Sequence, residues 1–242
     1  MHEGHRSRMR EKYLKGGEEG LLDHELLEIL LFYCIPRSNT NEIAHELLKK
    51  FGTLDGVANA DYYALQTVHG IGENAALFLN LLGTFQRKCV QSTIRDTKSF
   101  HHISVAREFG EAMLRGYPNE QLWALLLDNR LKKIDFVRVN EGTVNHVSFD
   151  LEEFYLSCLG RSVSAIILYH NHPKGLAVPS REDLNLTYQI ENKLSDVGIH
   201  LLEHFVVSDR SCVPMLYTQG AAVRSACGNK LGKQTLESFY MD

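Results

Sequence analysis

Features that would assign a chain to a specialised class are scarce in this sequence. It has no apolar run long enough to cross a bilayer. Its first residues lack the apolar segment of a signal peptide. The five cysteines form no C-x-x-C pair, which argues against a disulfide framework and against a zinc ribbon. Repeats and low-complexity segments are missing as well. Together these absences predict a cytoplasmic globular protein with reduced thiols and no membrane partner.

An excess of charge of one sign is also lacking. The 30 acidic and 26 basic residues give a net charge of −4, and the pI is near 6.3. This balance argues weakly against a protein whose main task is to coat nucleic acid. The length of 242 residues, 44% of them hydrophobic, suits one large or two small domains with a buried core.

The most informative stretch is residues 169–183. It follows an apolar run, residues 163–168, that is typical of a buried strand, and it precedes residues 184–194, which have the pattern of an amphipathic helix. We therefore expect a strand-to-helix crossover loop, where α/β folds tend to place their chemistry. Three turn-forming residues lie within it: Pro173, Gly175 and Pro179.

Three potential metal ligands frame this loop. His170 and His172 are two residues apart at the end of the predicted strand, so both imidazoles point to one side of the chain. Asp183 falls in the first turn of the following helix. Two imidazoles and a carboxylate suit a divalent cation, with zinc the leading candidate. Three protein ligands leave a fourth tetrahedral position for water, which is the arrangement of catalytic rather than structural zinc.

A purely structural interpretation covers part of the same segment. Ser180 and Asp183 also form an S-x-x-D helix start, with Ser180 as the N-cap and Asp183 favourable to the helix dipole. This explains the two residues but not the pair of histidines directly after an apolar strand. The two interpretations are compatible, because a capped helix would hold Asp183 still.

The letters HNHPKGLAVPSRED, residues 170–183, resemble the H-x-H-x(10)-D signature of JAMM (MPN+) metallopeptidase-like domains. Their spelling is similar to that of the RadC family in particular. Weaker matches are Glu141-Gly142-Thr143 and Leu202-Glu203-His204, and the resemblance runs over roughly residues 100–220. It implies a domain with a mixed sheet and flanking helices.

The resemblance also implies roles for individual residues. His170, His172 and Asp183 would bind zinc, and Ser180 would help to hold the oxyanion of a tetrahedral intermediate. Zinc would activate a water for attack on an amide or isopeptide carbonyl of a peptide or protein substrate. Family members with peptidase activity also use an upstream glutamate as general base.

That glutamate is where this sequence departs from the family pattern. Counted from Gly142-Thr143, its usual position falls on Val137. The nearest acids are Asp135 and Glu141, both on the Val137 face by alternation; Glu141 is the preferred candidate. General-base help is typically worth ~10²–10⁴-fold in rate. The alternative is therefore a weak or inactive metal-binding protein that acts in DNA repair or other DNA transactions.

The N-terminal part contains a possible nucleic-acid contact. Val68-His69-Gly70-Ile71-Gly72 is similar to the hairpin of a helix-hairpin-helix module, in which Gly70 and Gly72 would let backbone N–H groups approach a DNA phosphate. Glu73 follows at once and would repel phosphate, and residues 1–91 hold twelve acidic against ten basic residues. We expect DNA binding to be weak and a structural or protein-docking role to be favoured.

The chain is therefore predicted to fold as a small all-helical N-terminal domain followed by a mixed-sheet JAMM/MPN-like domain. The expected boundaries are 1–91 for the helical domain, 92–102 for a linker, 103–220 for the metal-binding domain and 221–242 for a C-terminal extension. Thr40 is expected to cap a helix that ends at Gly52. The predicted strands are 121–127, 131–139, 164–170, 199–207 and 213–217.

Two further expectations concern the site. His204, on the penultimate strand, is expected to have a structural or outer-shell role, because a fourth protein ligand would close the zinc site. Metal-dependent phosphoester cleavage is a third functional possibility, since a metal-activated water can also attack phosphorus.

Overall fold

The computed structural model describes residues 3–141, 151–173, 175–216 and 238–240. The chain divides into two compact units, Met1–Lys88 and Cys89–Asp242. The flanking match at Gly142-Thr143 and most of the predicted C-terminal extension lie outside the described residues.

The first unit is helical. The helices are α1 (Glu3–Gly16), α2 (Asp23–Leu31), α3 (Thr40–Phe51), α4 (Leu54–Ala58), α5 (Tyr62–Gln66) and α6 (Glu73–Ile94), with a 3₁₀ turn at Glu18–Gly20. Apolar faces of α2, α3, α5 and α6 form its core, with Leu31, Leu47, Leu65 and Ala76 fully buried. No helix in the described ranges is both long and apolar enough to span a membrane.

The start of α3 corrects the predicted cap. The helix begins at Thr40 itself, and Asn39 is the N-cap, whose side chain accepts a hydrogen bond from the Asn41 N–H at 3.3 Å. The segment Asn39-Thr40-Asn41 contains three residues able to cap, so sequence alone left the choice open by one position. The other end is as predicted: Gly52 terminates the helix with φ 85°.

The second unit is a sheet with helices on both faces. Its helices are α7 (Ile103–Leu114), α8 (Leu151–Leu159) and α9 (Arg181–Asp196). Its strands are β1 (Gln121–Leu127), β2 (Lys133–Glu141), β3 (Ala165–His172), β4 (His200–Ser208) and β5 (Cys212–Pro214). Among the described residues these form one mixed sheet of five strands in the order β2-β1-β3-β4-β5, which confirms the predicted fold class.

The third strand lies at the centre of the sheet. It pairs antiparallel with β1, where His170 is opposite Leu122, and parallel with β4, where Leu168 is opposite His204. The predicted strand ended at residue 170, but Asn171 and His172 continue the ladder beside β4. His170 is therefore held by ladders on both sides, and His172 by the ladder with β4, rather than by a loop.

Each face of the sheet has its own core. On one face α7 packs through Phe109 against Tyr169 and Phe205, all fully buried. On the other face α8 and α9 pack against Ile166 and Leu168. The predicted linker region contributes to the first of these cores: α6 continues through it as far as Ile94, and Phe100 is buried.

A helical turn at residues 238–240 completes the first core. Phe239 is fully buried among its residues, and the Tyr240 hydroxyl donates a hydrogen bond to the Leu202 carbonyl. The end of the chain is thus packed against the second unit over this turn.

We expect Phe239→Ala to lower the unfolding free energy of the second unit by about 3–5 kcal/mol, because it leaves a cavity in a closed core. Trp123, the only tryptophan of the sequence, lies on β1 and reports on this unit by fluorescence during denaturant unfolding. Leu156→Ala, at a side chain that is 69% exposed, serves as the control and is expected to cost below about 0.5 kcal/mol. Equal midpoints for the two variants would contradict the packed position of Phe239.

Candidate metal centre

The three predicted ligands come together at one end of the sheet. His170 and His172 project from the last part of β3, and Asp183 lies in the first turn of α9, which returns over the same face. Among the described residues, one atom from each side chain lies within 4.8 Å of the others. The crossover loop between β3 and α9 therefore brings together the groups that the sequence suggested.

The distances between donor atoms fit a tetrahedral metal. His170 Nε2 lies 3.0 Å from His172 Nε2 and 3.4 Å from Asp183 Oδ1, and His172 Nε2 lies 3.7 Å from Asp183 Oδ2. Zinc–ligand bonds of about 2.0–2.1 Å place neighbouring tetrahedral donors roughly 3.3 Å apart. The carboxylate presents Oδ1 to His170 and Oδ2 to His172, and the donor set of two imidazoles and one carboxylate suits a divalent metal ion.

Asp183 serves the helix and faces the histidines at once. Its Oδ2 accepts hydrogen bonds from the Ser180 N–H at 2.8 Å and the Ser180 hydroxyl at 2.6 Å, while its own N–H donates to the Ser180 Oγ at 3.1 Å. This is the predicted capping box. Oδ1 is directed at His170. The cap therefore uses Oδ2, which is also the oxygen nearer to His172, and leaves Oδ1 facing His170.

The interactions within this group of three side chains shift the pKa values of Asp183 and His172. Burial by itself would raise the pKa of Asp183, but the nearby imidazoles of His170 and His172 and the Ser180 hydroxyl outweigh it and hold that pKa well below its usual range. The Asp183 carboxylate, 3.7 Å from Nε2, raises the pKa of His172 against the opposing effect of burial. Asp183 is thus an anion at neutral pH, as a metal ligand must be.

A contact with the crossover loop fixes the protonation of His172 Nδ1. Its Nδ1 lies 3.0 Å from the carbonyl oxygen of Leu176. A carbonyl only accepts, so Nδ1 carries a proton in this bond. In the neutral ring the lone pair is then on Nε2, the atom that faces His170 and Asp183.

His204 contacts the site from the neighbouring strand. Its Nε2 lies 2.9 Å from His170 Nδ1, and its Nδ1 lies 2.7 Å from the Thr187 hydroxyl. Burial lowers the pKa of His204 well below its usual value, and the adjacent His170 acts in the same direction. It contacts a ligand rather than joining the group of three, in agreement with its expected outer-shell role. Sequence reasoning missed Thr187, because only the packing of α9 on β4 brings it to His204.

Asn171 anchors the end of β3 on the face opposite its two histidine neighbours. Its Oδ1 accepts a hydrogen bond from the Gln121 N–H at 2.8 Å, and its Nδ2 donates to the Asn119 carbonyl at 3.0 Å. The side chain is 97% buried, on the opposite side of the chain from its two histidine neighbours. It ties the end of β3 to the segment that leads into β1.

Of the two acids considered as general base, Asp135 is remote from the ligands. It pairs with Leu126, which is level with Ile166, four residues or roughly 13 Å along β3 from His170. Its carboxylate instead lies 2.5 Å from Arg161. The suggestion that Asp135 could serve the site is therefore wrong.

The other positions on β2 lie nearer the ligand end. Val137 is level with Ala124 and Leu168 and packs in the same core as Leu168. Glu141 pairs with Gln121, one pair beyond the level of His170. Between them the register shifts at Leu122/Trp123, so the simple alternation that related Glu141 to Val137 is interrupted.

The hairpin glycines in the first unit differ in their surroundings. Gly70 has φ 88°, and a Cβ there would lie 2.7 Å from the Ile43 Cδ1, whereas a Cβ on Gly72 would meet open space. Close packing of the hairpin on α3 accounts for Gly70 without nucleic acid. Gly72 directly precedes α6, whose first residue is the acidic Glu73.

We expect Gly70→Ala to destabilise the first unit by about 1–3 kcal/mol, because it combines a positive φ with a steric clash. Gly72→Ala is the matched control, and a poorer helix start should cost it no more than about 0.5–1 kcal/mol. Loss of helical circular dichroism on heating measures both. Equal melting temperatures for the two variants would contradict the expected strain and clash at position 70.

A helical region followed by a mixed sheet with helices on both faces is consistent with a JAB/MPN-like domain behind a helical extension. Comparison with known families gives the same result. The family model described as RadC-like JAB domain matches residues 100–220, and the model described as UPF0758 N-terminal matches residues 3–77.

Curated relatives match over most of their length. A UPF0758 protein of Fusobacterium nucleatum is 34% identical over 216 residues, covering 86% of this chain and 93% of the relative. Another, from Alteromonas mediterranea, is 33% identical over 85% of this chain and 92% of its own, and one from Thioalkalivibrio sulfidiphilus is 34% identical over 84% and 91%. The chain belongs to the RadC family of UPF0758 proteins.

Proposed function

We propose that this protein is a zinc-dependent hydrolase of amide or isopeptide bonds in a peptide or protein substrate. The observation that carries the proposal is the group of His170, His172 and Asp183, whose donor atoms have the chemistry and the spacing of a three-ligand zinc site. The match of residues 100–220 to a RadC-like JAB domain supports it, because that match contains all three residues.

The chain's own residues supply specific parts of this chemistry. A zinc ion bound by the three ligands would polarise a carbonyl and lower the pKa of water. Ser180 carries a hydroxyl beside the ligand carboxylate; turned away from Asp183 Oδ2, it can donate to a developing oxyanion while its backbone N–H still holds the carboxylate. Glu141, at the ligand end of β2, is our candidate for the group that accepts the proton.

A cytoplasmic location is part of the proposal. Among the described residues Cys34, Cys89, Cys158 and Cys212 are free thiols. Burial raises the pKa of Cys158 to about 11 and that of Cys212 to about 12, so neither is a reactive thiolate at neutral pH. Reduced, unreactive cysteines suit a reducing compartment.

The test is hydrolysis of a panel of peptides and isopeptide-linked conjugates by the full chain in three states: as purified, stripped by a chelator, and stripped and then resupplied with zinc. We expect hydrolysis to disappear on stripping and to return with zinc. Turnover that is unchanged in the stripped protein would overturn the proposal.

The second candidate function is a catalytically weak or inactive metal-binding protein in DNA transactions. Valine at position 137, where related peptidases carry glutamate, and the Gly70–Gly72 hairpin favour it. A DNA titration of the full chain at low and at physiological salt separates the two functions, since phosphate contacts weaken steeply with salt. Absence of binding even at low salt would remove this candidate.

A further inference from the structure

A buried chain of contacts runs from α9 to the first metal-ligand candidate. The Thr187 Oγ1 lies 2.6 Å from the Asp183 carbonyl oxygen and 2.7 Å from His204 Nδ1. On the other side of the ring, His204 Nε2 lies 2.9 Å from His170 Nδ1. Thr187 and His204 are each 1% exposed and His170 is 8% exposed, so water does not compete for these bonds.

The hydrogen bond between Thr187 and the Asp183 carbonyl determines the direction of the hydrogen bond between Thr187 and His204. A carbonyl oxygen can only accept, so the single hydroxyl proton of Thr187 is donated to Asp183. The same Oγ1 must then accept from His204, which places the proton of that ring on Nδ1.

The direction of the hydrogen bond between His204 and His170 follows from the neutral state of His204. Its ring is 1% exposed, and its two nitrogens contact a hydroxyl and another imidazole, so a second proton would bury a charge with no carboxylate on either nitrogen. With a proton on Nδ1, the neutral ring has a bare Nε2 that accepts from His170. His170 therefore carries its proton on Nδ1 and has its lone pair on Nε2, the atom that faces His172 and Asp183.

We propose that Thr187 and His204 are positioning residues that fix His170 in the one neutral tautomer able to bind a metal through Nε2. The inference rests on the proposed metal site but concerns the protein alone, because the proton positions exist before any ion binds. Ligand histidines commonly donate their second N–H to a fixed acceptor. Here that acceptor is a second imidazole, whose own tautomer is set by a threonine.

Thr187 is the point where the chain of contacts can be broken with least disturbance. Valine has nearly the shape of threonine but no hydroxyl, so Thr187→Val frees His204 to carry its proton on either nitrogen. With the proton on Nε2, His204 would donate to His170 Nδ1 and push the His170 proton to Nε2, where it blocks the metal. Thr187→Ser keeps the hydroxyl and is the matched variant.

The first experiment uses metal-free full-length protein with ¹⁵N-labelled histidines. Long-range ¹H–¹⁵N correlation spectra distinguish imidazoles protonated on Nδ1 from those protonated on Nε2. We expect His170 and His204 to be Nδ1–H in the unmodified protein and in Thr187→Ser, and the Nε2–H form of His204 to appear in Thr187→Val. An unmodified protein with His170 protonated on Nε2, or a Thr187→Val spectrum with unchanged tautomers, would overturn the inference.

The second experiment measures zinc affinity by competition with a chromophoric chelator. Outer-shell partners of a ligand are typically worth about 10–100-fold in metal affinity. We expect a loss of that size in Thr187→Val and recovery in Thr187→Ser. Unchanged affinity in Thr187→Val would contradict a positioning role.

A third variant addresses His204 directly. The amide oxygen of glutamine reaches the place of His204 Nε2 and can accept from His170, whereas leucine cannot. We expect His204→Gln to keep more zinc affinity than His204→Leu, and equal loss in both would count against the proposed bond to His170. If the unmodified protein binds no zinc at all, the proposed function fails, while the tautomer spectra still decide the inference.

Discussion

Replacing His172 by alanine is expected to leave the chain folded but unable to retain zinc, and to reduce zinc-dependent hydrolysis to background. The proposed site has three protein ligands, and two of them would not hold the ion against water and buffer at micromolar protein. Elemental analysis of purified protein measures the effect directly. We expect about one zinc per chain in the unmodified protein and none in the variant.

His101→Ala is the matched control for this experiment. His101 is an exposed histidine of the same unit, so its loss removes an imidazole without touching the group of three. Zinc content should be unchanged in this control. A His172→Ala protein that still carries one zinc per chain would place the metal elsewhere and remove the basis of the proposed function.

Replacing Glu141 by glutamine is expected to lower hydrolysis by about 10²–10⁴-fold with unchanged zinc content, because a general base contributes that much and an amide cannot take the proton. The rate constant with saturating substrate, measured beside zinc analysis of the same sample, separates loss of chemistry from loss of metal. A rate within a few-fold of the unmodified protein would mean that Glu141 does not act as the base.

Position 137 offers a complementary test in the Glu141→Gln background. Val137 is half-buried and packs in the core that β3 lines at Leu168, two residues before His170. Counted from Gly142-Thr143, this is the position at which the family resemblance implies glutamate. We expect Val137→Glu to restore part of the lost rate and the isosteric Val137→Gln to restore none. Equal rates in the two double variants would mean that a carboxylate at position 137 cannot reach the reacting water.

Local patterns predicted much of the second unit. The segment Gln121–Leu127 is apolar after its first residue and has the observed bounds of β1, because a strand covered on both faces leaves no polar alternation. Ser180 and Asp183 were predicted as a cap, and the capping box is present. The three metal-ligand candidates were predicted because they are close in sequence and their spacing follows from one strand and one helix turn.

Long-range geometry explains what the sequence did not predict. His204 meets His170 only because β3 and β4 are parallel in a particular register, and Thr187 joins them only because α9 packs on β4. No local signal carries a register between strands that are separated by a helix. The length of β3 was underestimated for the same reason, since its last two residues are extended by pairing with β4.

The first unit illustrates a different limit. Gly70 fits a phosphate-binding hairpin by its letters alone, yet its positive φ and its contact with Ile43 are sufficient reasons for a glycine. A glycine in a short motif can be required by phosphate binding or by close packing. Only the packing around each glycine distinguishes the two reasons.

The crossover loop divides into fixed ends and a middle that is free to vary. His172 and Ser180 bound it within a strand and a helix cap, and among the described residues between them Leu176 contacts His172 through its main-chain carbonyl. The Leu176 and Val178 side chains of this loop are 72% and 62% exposed. Any residue supplies a main-chain carbonyl. Substitution of these two side chains would therefore change the surface of the loop while the donor atoms stay in place. Loop grafts between family members are thus expected to leave the proposed metal site intact.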